Sequence, residues 1–179
     1  VAYCSICDAP FFRGKRVVVA GGGNSAVTAA IDLAKLAAEI TVVNFAPGWQ
    51  ADGILLDNLR RQVHVKMLDN SAVARIEGTE RVTAVGIRNR ATSEETTIPA
   101  DGIFIEVGLF PNTEPVRDLA VLNPSGELIV DCACRTAVAG LFGAGDATTV
   151  PYNQIVISAG EGAKAALGAY DYLLKQGLI

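Results

Sequence analysis

The sequence predicts a mixed α/β fold on three observations: a β-branched run that turns on glycines into an apolar-striped helix, a central stretch of two-residue alternation, and a long helical pattern near the C-terminus. Arg16–Ala20 is the β-branched run. It enters Gly21-Gly22-Gly23-Asn24, and Ser25–Ala37 follows with Val27, Ala30, Ile31 and Ala34 at helical spacing. Ile40–Val43 supplies the next buried strand, so Arg16–Asn44 has the size of a βαβ unit with a parallel strand pair.

The loop Phe45–Gln50 precedes a second helix carrying Ile54, Leu55, Leu56 and Leu59. From Val63 the pattern becomes alternation. Val63, Val65 and Met67 share one face, and Val73–Glu77, Val82–Arg88 and Glu95–Ile98 follow between turn-like segments, which together read as an antiparallel meander. Gly102–Val107 is a further buried strand, broken at Gly108-Leu-Phe-Pro-Asn-Thr113. Strands at Glu127–Val130 and Gly140–Phe142, a glycine turn and a helix from about Gln154 to Gln176 complete the chain.

With 179 residues, half of them hydrophobic, the chain can bury one substantial core or two small ones. Its formal charge of −4 offers no basic field for nucleic acid or an anionic membrane surface, so neither is expected as a partner. Val17–Ile31, the longest weakly charged stretch, is interrupted by three glycines and by polar residues and falls short of a bilayer span. The chain opens Val1-Ala2-Tyr3-Cys4, without an initiator Met, a basic leader or an apolar signal core, and an upstream extension is expected.

Two motifs carry chemistry. Gly21-Gly22-Gly23-Asn24-Ser25-Ala26 is G-x-G-x-x-A between a strand and a helix, where the dinucleotide fingerprint stands. Gly21 permits a tight turn, Gly23 lets the backbone approach a pyrophosphate, and Ala26 is small enough for helix-on-strand packing. The pyrophosphate would sit on the helix N-terminus, where unpaired N–H groups favour an anion. Asn44, ending the second strand, occupies the place of the acid that takes the adenine ribose hydroxyls of NAD. No arginine follows it between Phe45 and Gly53 to meet a 2'-phosphate, so the site leans to NADH.

The second motif is Cys4-Ser-Ile-Cys7-Asp8. Its spacing suits a redox dithiol with Asp8 as the acid for a departing thiolate; the alternatives are two unreactive buried cysteines, or half a zinc site completed by Cys132 and Cys134. Redox chemistry is favoured and no metal is expected. Four cysteines in a chain this long make no disulfide scaffold and suit the cytoplasm. His64 reads as a solvated strand residue, Trp49 as a loop aromatic over core or adenine, and Arg60-Arg61 as a solvated helix face.

Val1–Asp8, Phe11-Phe-Arg-Gly-Lys15, Gly21–Ala26, Gly108–Thr113 and Gly143-Ala-Gly-Asp146 followed by Tyr152-Asn-Gln154 together resemble the bacterial thioredoxin reductase family. Phe45-Ala-Pro47, Ala51-Asp52, Thr148–Tyr152 and Gly160–Lys164 are similar to its branch of alkyl hydroperoxide reductase flavoproteins.

The resemblance implies a Rossmann-like NAD(H)-binding domain with the meander over residues 1–104, and the C-terminal half of a discontinuous FAD-binding domain over 105–179. It implies electron flow from NADH through FAD to the Cys4/Cys7 disulfide and on to a peroxiredoxin or thioredoxin-like redox domain, in a homodimeric parent protein. Cys7 would face the flavin, Cys4 carry electrons outward and Asp8 act as acid and base. Gly108, Gly145, Asp146, Tyr152, Asn153, Gln154 and Ile155 would serve the flavin and nucleotide. Ala9, Thr28, Asn44 and Asn153 depart from the family pattern, and only one glycine fingerprint is present, so this chain is expected to hold FAD poorly by itself.

Overall fold

A computed structural model describes residues 1–179. The chain divides into two compact units, Val1–Gly108 and Leu109–Ile179.

In the first unit, β1 (Arg16–Ala20), β2 (Glu39–Val43), β3 (Val65–Leu68) and β7 (Gly102–Ile105) form a parallel sheet in the order β3-β2-β1-β7. A separate antiparallel sheet holds β4 (Ser71–Glu77), β5 (Ala84–Asn89) and β6 (Glu95–Pro99) in sequential order. The helices are α1 (Ser5–Asp8), α2 (Asn24–Ala34) and α3 (Gly53–Arg60), with a 3-10 turn at Ala9–Phe12 after α1.

Alternation along the parallel strands separates two cores. Val17, Val19, Ile40, Val42 and Phe104 face α2 and α3, meeting Val27, Ala30, Leu33, Leu56 and Leu59. Val18, Ala20, Val43 and Ile103 face the opposite way and meet Val85, Ile87 and Ala100 of the meander side. Strands covered on both faces read as continuous apolar runs, which is why β1 and β2 were legible.

Val65–Leu68 corrects the expected meander: it pairs in parallel with β2, Ile40 opposite Val65 and Val43 opposite Leu68. Alternation is a property of any half-covered strand, and the edge position of β3 produces it as readily as an antiparallel hairpin does. Val63 lies outside the strand and is fully exposed. His64 also precedes the strand, half-buried, its Nε2 2.9 Å from the Ala34 carbonyl oxygen. Trp49 packs against the α2/α3 core, and Arg60 pairs with Asp57 on an exposed helix face.

The second unit contains α4 (Ile155–Lys175) and 3-10 turns at Glu114–Val116 and Gly145–Ala147. The strands expected at Glu127–Val130 and Gly140–Phe142 are reduced to single bridges, Leu128 to Leu122 and Thr148, and Phe142 to Arg135. A strand persists only with a continuous ladder beside it, and along these segments the pairing stops at isolated bridges. Cys132 and Cys134 do not share a strand face. Cys134 is buried at φ 62° while Cys132 is exposed, in a turn where the Asp131 carboxylate accepts the N–H groups of Ala133 (2.8 Å) and Arg135 (2.9 Å).

Candidate functional site

The glycine turn is built by close contacts on both sides of β1. Gly21 adopts φ 141°, and a Cβ there would overlap the Glu106 carbonyl oxygen and approach the Ala26 Cβ at 2.8 Å. Only glycine meets both conditions without strain. The Gly21 N–H bonds the Val43 carbonyl at 2.9 Å and the Glu106 N–H bonds that of Ala20 at 2.8 Å, so the turn is pinned to β2 and β7 alike. Gly22 leaves no room for a side chain against the Asn44 amide. At Gly23, by contrast, nothing lies within 4 Å of where a Cβ would stand. Gly23 caps α2 without a side-chain hydrogen bond, and no acidic residue occupies the first turn. Donors at the head of α2 are therefore available to an anion, and the backbone is open to it.

A cavity of about 620 Å³ opens over this turn. Gly21, Gly22, Gly23, Asn24, Ser25, Asn44 and Gly108 line it, while Ala26 is fully buried beneath. Its size falls within the usual range for small-molecule and cofactor sites. Asn44 is 2% exposed, and its amide organises the next loop. Nδ2 donates to the carbonyls of Ala46 (3.2 Å) and Gly48 (2.7 Å), and Oδ1 accepts the Ala46 N–H (3.2 Å). Asn24 likewise ties the turn to the start of α3, Nδ2 donating to Asp52 Oδ2 (3.1 Å) and Oδ1 accepting the Asp52 N–H (2.8 Å).

Sequence reasoning missed two charged residues here. Glu106 lines the cavity and accepts the Ser25 hydroxyl. Arg90, from the turn between β5 and β6, stacks its guanidinium 3.7 Å from the Phe45 ring centroid and donates to the Phe45 carbonyl at 3.0 Å. Phe45 is a cavity wall. Arg90 is far from Phe45 in sequence, so a search of the adjoining residues for a cation does not reach it. Glu106 ends an apolar strand with no motif to mark it.

The cysteine pair stands on the same unit. Cys4 and Cys7 form a disulfide, with Cα atoms 5.4 Å apart across the single turn of α1. Cys4 caps that turn, its Sγ accepting the Cys7 N–H at 3.2 Å. Ala2 anchors the segment to β7, donating to Ile103 O (2.8 Å) and accepting from Ile105 N (2.9 Å). Cys7 is exposed, Cys4 half-buried, and Asp8 half-buried at the end of α1. Tyr3, Ile6 and Phe11 nearby are 73%, 75% and 72% exposed, an apolar surface in the segment that carries the disulfide. No group of three or more His, Cys, Asp or Glu side chains is gathered anywhere to hold a metal.

In the second unit, Gly145 adopts φ 73° and a Cβ there would meet Ser158 Oγ at 2.8 Å. The Ser158 hydroxyl donates to Asp146 Oδ1 (3.1 Å), the Thr148 hydroxyl to Gly145 O (2.7 Å), and the Gly145 N–H to Glu161 Oε2 (3.4 Å). The Ser158 and Glu161 bonds tie the Gly145-Asp146 turn to α4, and the Thr148 bond closes the turn on itself. Tyr152 is 79% exposed at φ 70°, Asn153 is exposed, Gln154 caps α4, and Ile155 is 90% exposed. Close packing explains Gly168, which meets Phe142, but Gly160 and Gly162 have nothing within 4 Å. Burial pushes the Cys134 thiol pKa up, away from reactivity. No helix is long and apolar enough to cross a membrane.

A parallel sheet with a glycine turn and an open helix head carries, on the same unit, a disulfide between cysteines separated by two residues. Residues 3–164 match the family described as pyridine nucleotide-disulphide oxidoreductase, and the chain belongs to that family. Among its relatives, the F component of alkyl hydroperoxide reductase in Pseudomonas putida is 46% identical over 176 residues, covering 98% of this chain and 34% of the relative. The corresponding protein of Escherichia coli K12 gives the same identity and coverage. A Bacillus subtilis protein named NADH dehydrogenase is 46% identical over 175 residues, again covering 98% and 34%. The chain thus spans about a third of the length of the curated relatives it matches. Among solved structures, thioredoxin reductase from Streptococcus pyogenes superposes with a TM-score of 0.87 at 37% identity, covering 97% of this chain and 57% of that one.

Proposed function

We propose that this chain is the NADH-binding and disulfide-bearing part of a flavin-dependent disulfide reductase that passes electrons to a peroxiredoxin system. The observation that carries the reading is the Cys4–Cys7 disulfide on the same compact unit as a cavity built over an uncapped helix head. Relatives named as alkyl hydroperoxide reductase components support the peroxide-detoxifying role. In this reading residues 1–104 form the NADH domain and 105–179 the C-terminal part of a discontinuous FAD-binding domain. Gly145 and Asp146 hold the flavin side, with Tyr152, Asn153, Gln154 and Ile155 beside it. The parent protein is a cytoplasmic homodimer.

When bound, FAD supplies two-electron transfer between nicotinamide and disulfide. The chain's own residues do the rest. Gly21–Ser25 bind the pyrophosphate by backbone N–H groups, and Asn44 shapes the adenine side. Once Cys4 and Cys7 are reduced, the Cys4 thiolate attacks the partner disulfide and expels one partner thiolate. The Cys7 thiolate then resolves the mixed disulfide, so that Cys4–Cys7 re-forms and the partner leaves as a dithiol. Asp8 protonates the departing sulfur. The exposed Tyr3, Ile6 and Phe11 suit a thioredoxin-like partner domain.

The test is NADH-dependent reduction of a disulfide partner by the longer protein carrying this chain, with and without Cys7→Ser. Turnover falls at least a hundredfold in the variant; unchanged turnover sinks the reading. Tight stoichiometric FAD on the 179-residue chain alone would overturn the discontinuous flavin domain. Arg90 over Phe45 favours a second reading, a thioredoxin reductase that accepts NADPH, because it supplies a cation on the residue that follows the uncharged Asn44. Titration with both nucleotides separates the two.

A further inference from the structure

We infer that Glu106 recognises the second ribose of the dinucleotide, the one on the far side of the pyrophosphate from adenine. This rests on the nucleotide reading above and adds a residue to it. From β1 the chain winds to β2 and β3 on one side, and β7 returns on the other. Ligands of open parallel sheets lie outside the carboxyl ends of the strands where the winding reverses, which here is the crevice between β1 and β7.

Glu106 directly follows β7 and stands at that crevice. Its N–H is held by the Ala20 carbonyl (2.8 Å), its own carbonyl packs on Gly21, and its side chain lines the cavity. Asn44, at the carboxyl end of β2, lies on the opposite side of β1. A pyrophosphate seated at Gly21–Ser25 therefore sends one ribose toward each of these two residues. Both Asn44 amide hydrogens are committed to the Ala46 and Gly48 carbonyls. The Glu106 carboxylate is engaged by a single donor, the Ser25 hydroxyl. A ribose diol presents two O–H donors, and an ionised carboxylate presents two acceptor oxygens.

A carboxylate beside a pyrophosphate repels it, and a donor pair that the ligand brings with it offsets that repulsion. That opposition gives the test a change of sign. ADP carries the pyrophosphate without the second ribose, whereas ADP-ribose and NADH carry both. Binding of the three to the 179-residue chain is measured by calorimetry for the parent, Glu106→Gln and Glu106→Ala.

In both variants ADP-ribose and NADH weaken by roughly tenfold or more, as expected for hydrogen bonds to a charged group. ADP binding is retained or tightened, which also shows that the variants are folded. The inference is overturned if ADP-ribose affinity is unchanged, or if ADP and ADP-ribose weaken together as they would after structural damage. A parent chain that binds none of the three ligands overturns the nucleotide reading itself, an outcome distinct from failure at Glu106 alone.

Discussion

Helices α2 and α4 show how differently the two units are built. The 11 residues of α2 bury Ala26, Val27, Ala29, Ala30 and Leu33. The 21 residues of α4 bury only Glu161. Across the chain, the buried apolar residues lie in Val1–Gly108 with two exceptions, Leu128 and Cys134. The first unit thus has apolar layers on both faces of a sheet, whereas the second is held by turn hydrogen bonds and isolated bridges. Because burial of apolar surface is the main term opposing chain entropy, the two units should differ sharply in autonomous stability.

The strongest way to break that comparison is to divide the chain after Gly108. Residues 1–108 are expected to give a cooperative urea transition and a dispersed amide spectrum. Residues 109–179 alone are expected to give neither. A sharp transition in the second piece would show that turn bonding suffices without a core.

Side-chain truncation sharpens the comparison at a single residue. Leu33 is fully buried in the α2 core, so Leu33→Ala should cost about 2–5 kcal/mol of unfolding free energy. Leu167 on α4 is 70% exposed, and Leu167→Ala should stay within about 0.5 kcal/mol. Comparable losses in urea melts of the two variants would mean that α4 is packed far more tightly than its exposure indicates.

The same contrast governs what the sequence disclosed. In the first unit, strand, glycine turn and helix follow from local period and punctuation, and the turn stands out in the sequence because the close contacts at Gly21 and Gly22 admit no side chain. Val65–Leu68 was misread because alternation records a half-covered face and is silent on which strand lies beside it. Glu106 and Arg90 went unseen because tertiary contact, not sequence neighbourhood, brings Glu106 to the cavity and sets Arg90 against its wall residue Phe45. In the second unit, Glu127–Val130 and Gly140–Phe142 have strand-like composition but no ladder along them. Their apolar pattern was a true property of the residues, and the structure it implies needs a neighbour.

The smallest effect concerns a polar tie at the entrance to β1. Arg16 donates to Asp101 from its backbone N–H (2.9 Å), Nε (3.2 Å) and Nη2 (3.1 Å), joining the start of β1 to the residue before β7. Hydrogen bonds from the Arg16 side chain, then from its backbone, hold the Asp101 carboxyl below its ordinary pKa, with the guanidinium charge adding to them. A carboxylate whose folded pKa is depressed stabilises the fold above its unfolded pKa of about 3.9, and that contribution is lost as pH falls through the lower folded value. Asp101→Asn should therefore lower the urea midpoint slightly at pH 7, and the gap from the parent should close as the pH is taken from 4 toward 2. Both side chains are partly exposed, so solvent screens the pair and the loss stays well below that of Leu33→Ala. A gap that persists unchanged in acid would assign the effect to the shape of the side chain and leave its charge with no part in joining β1 to β7.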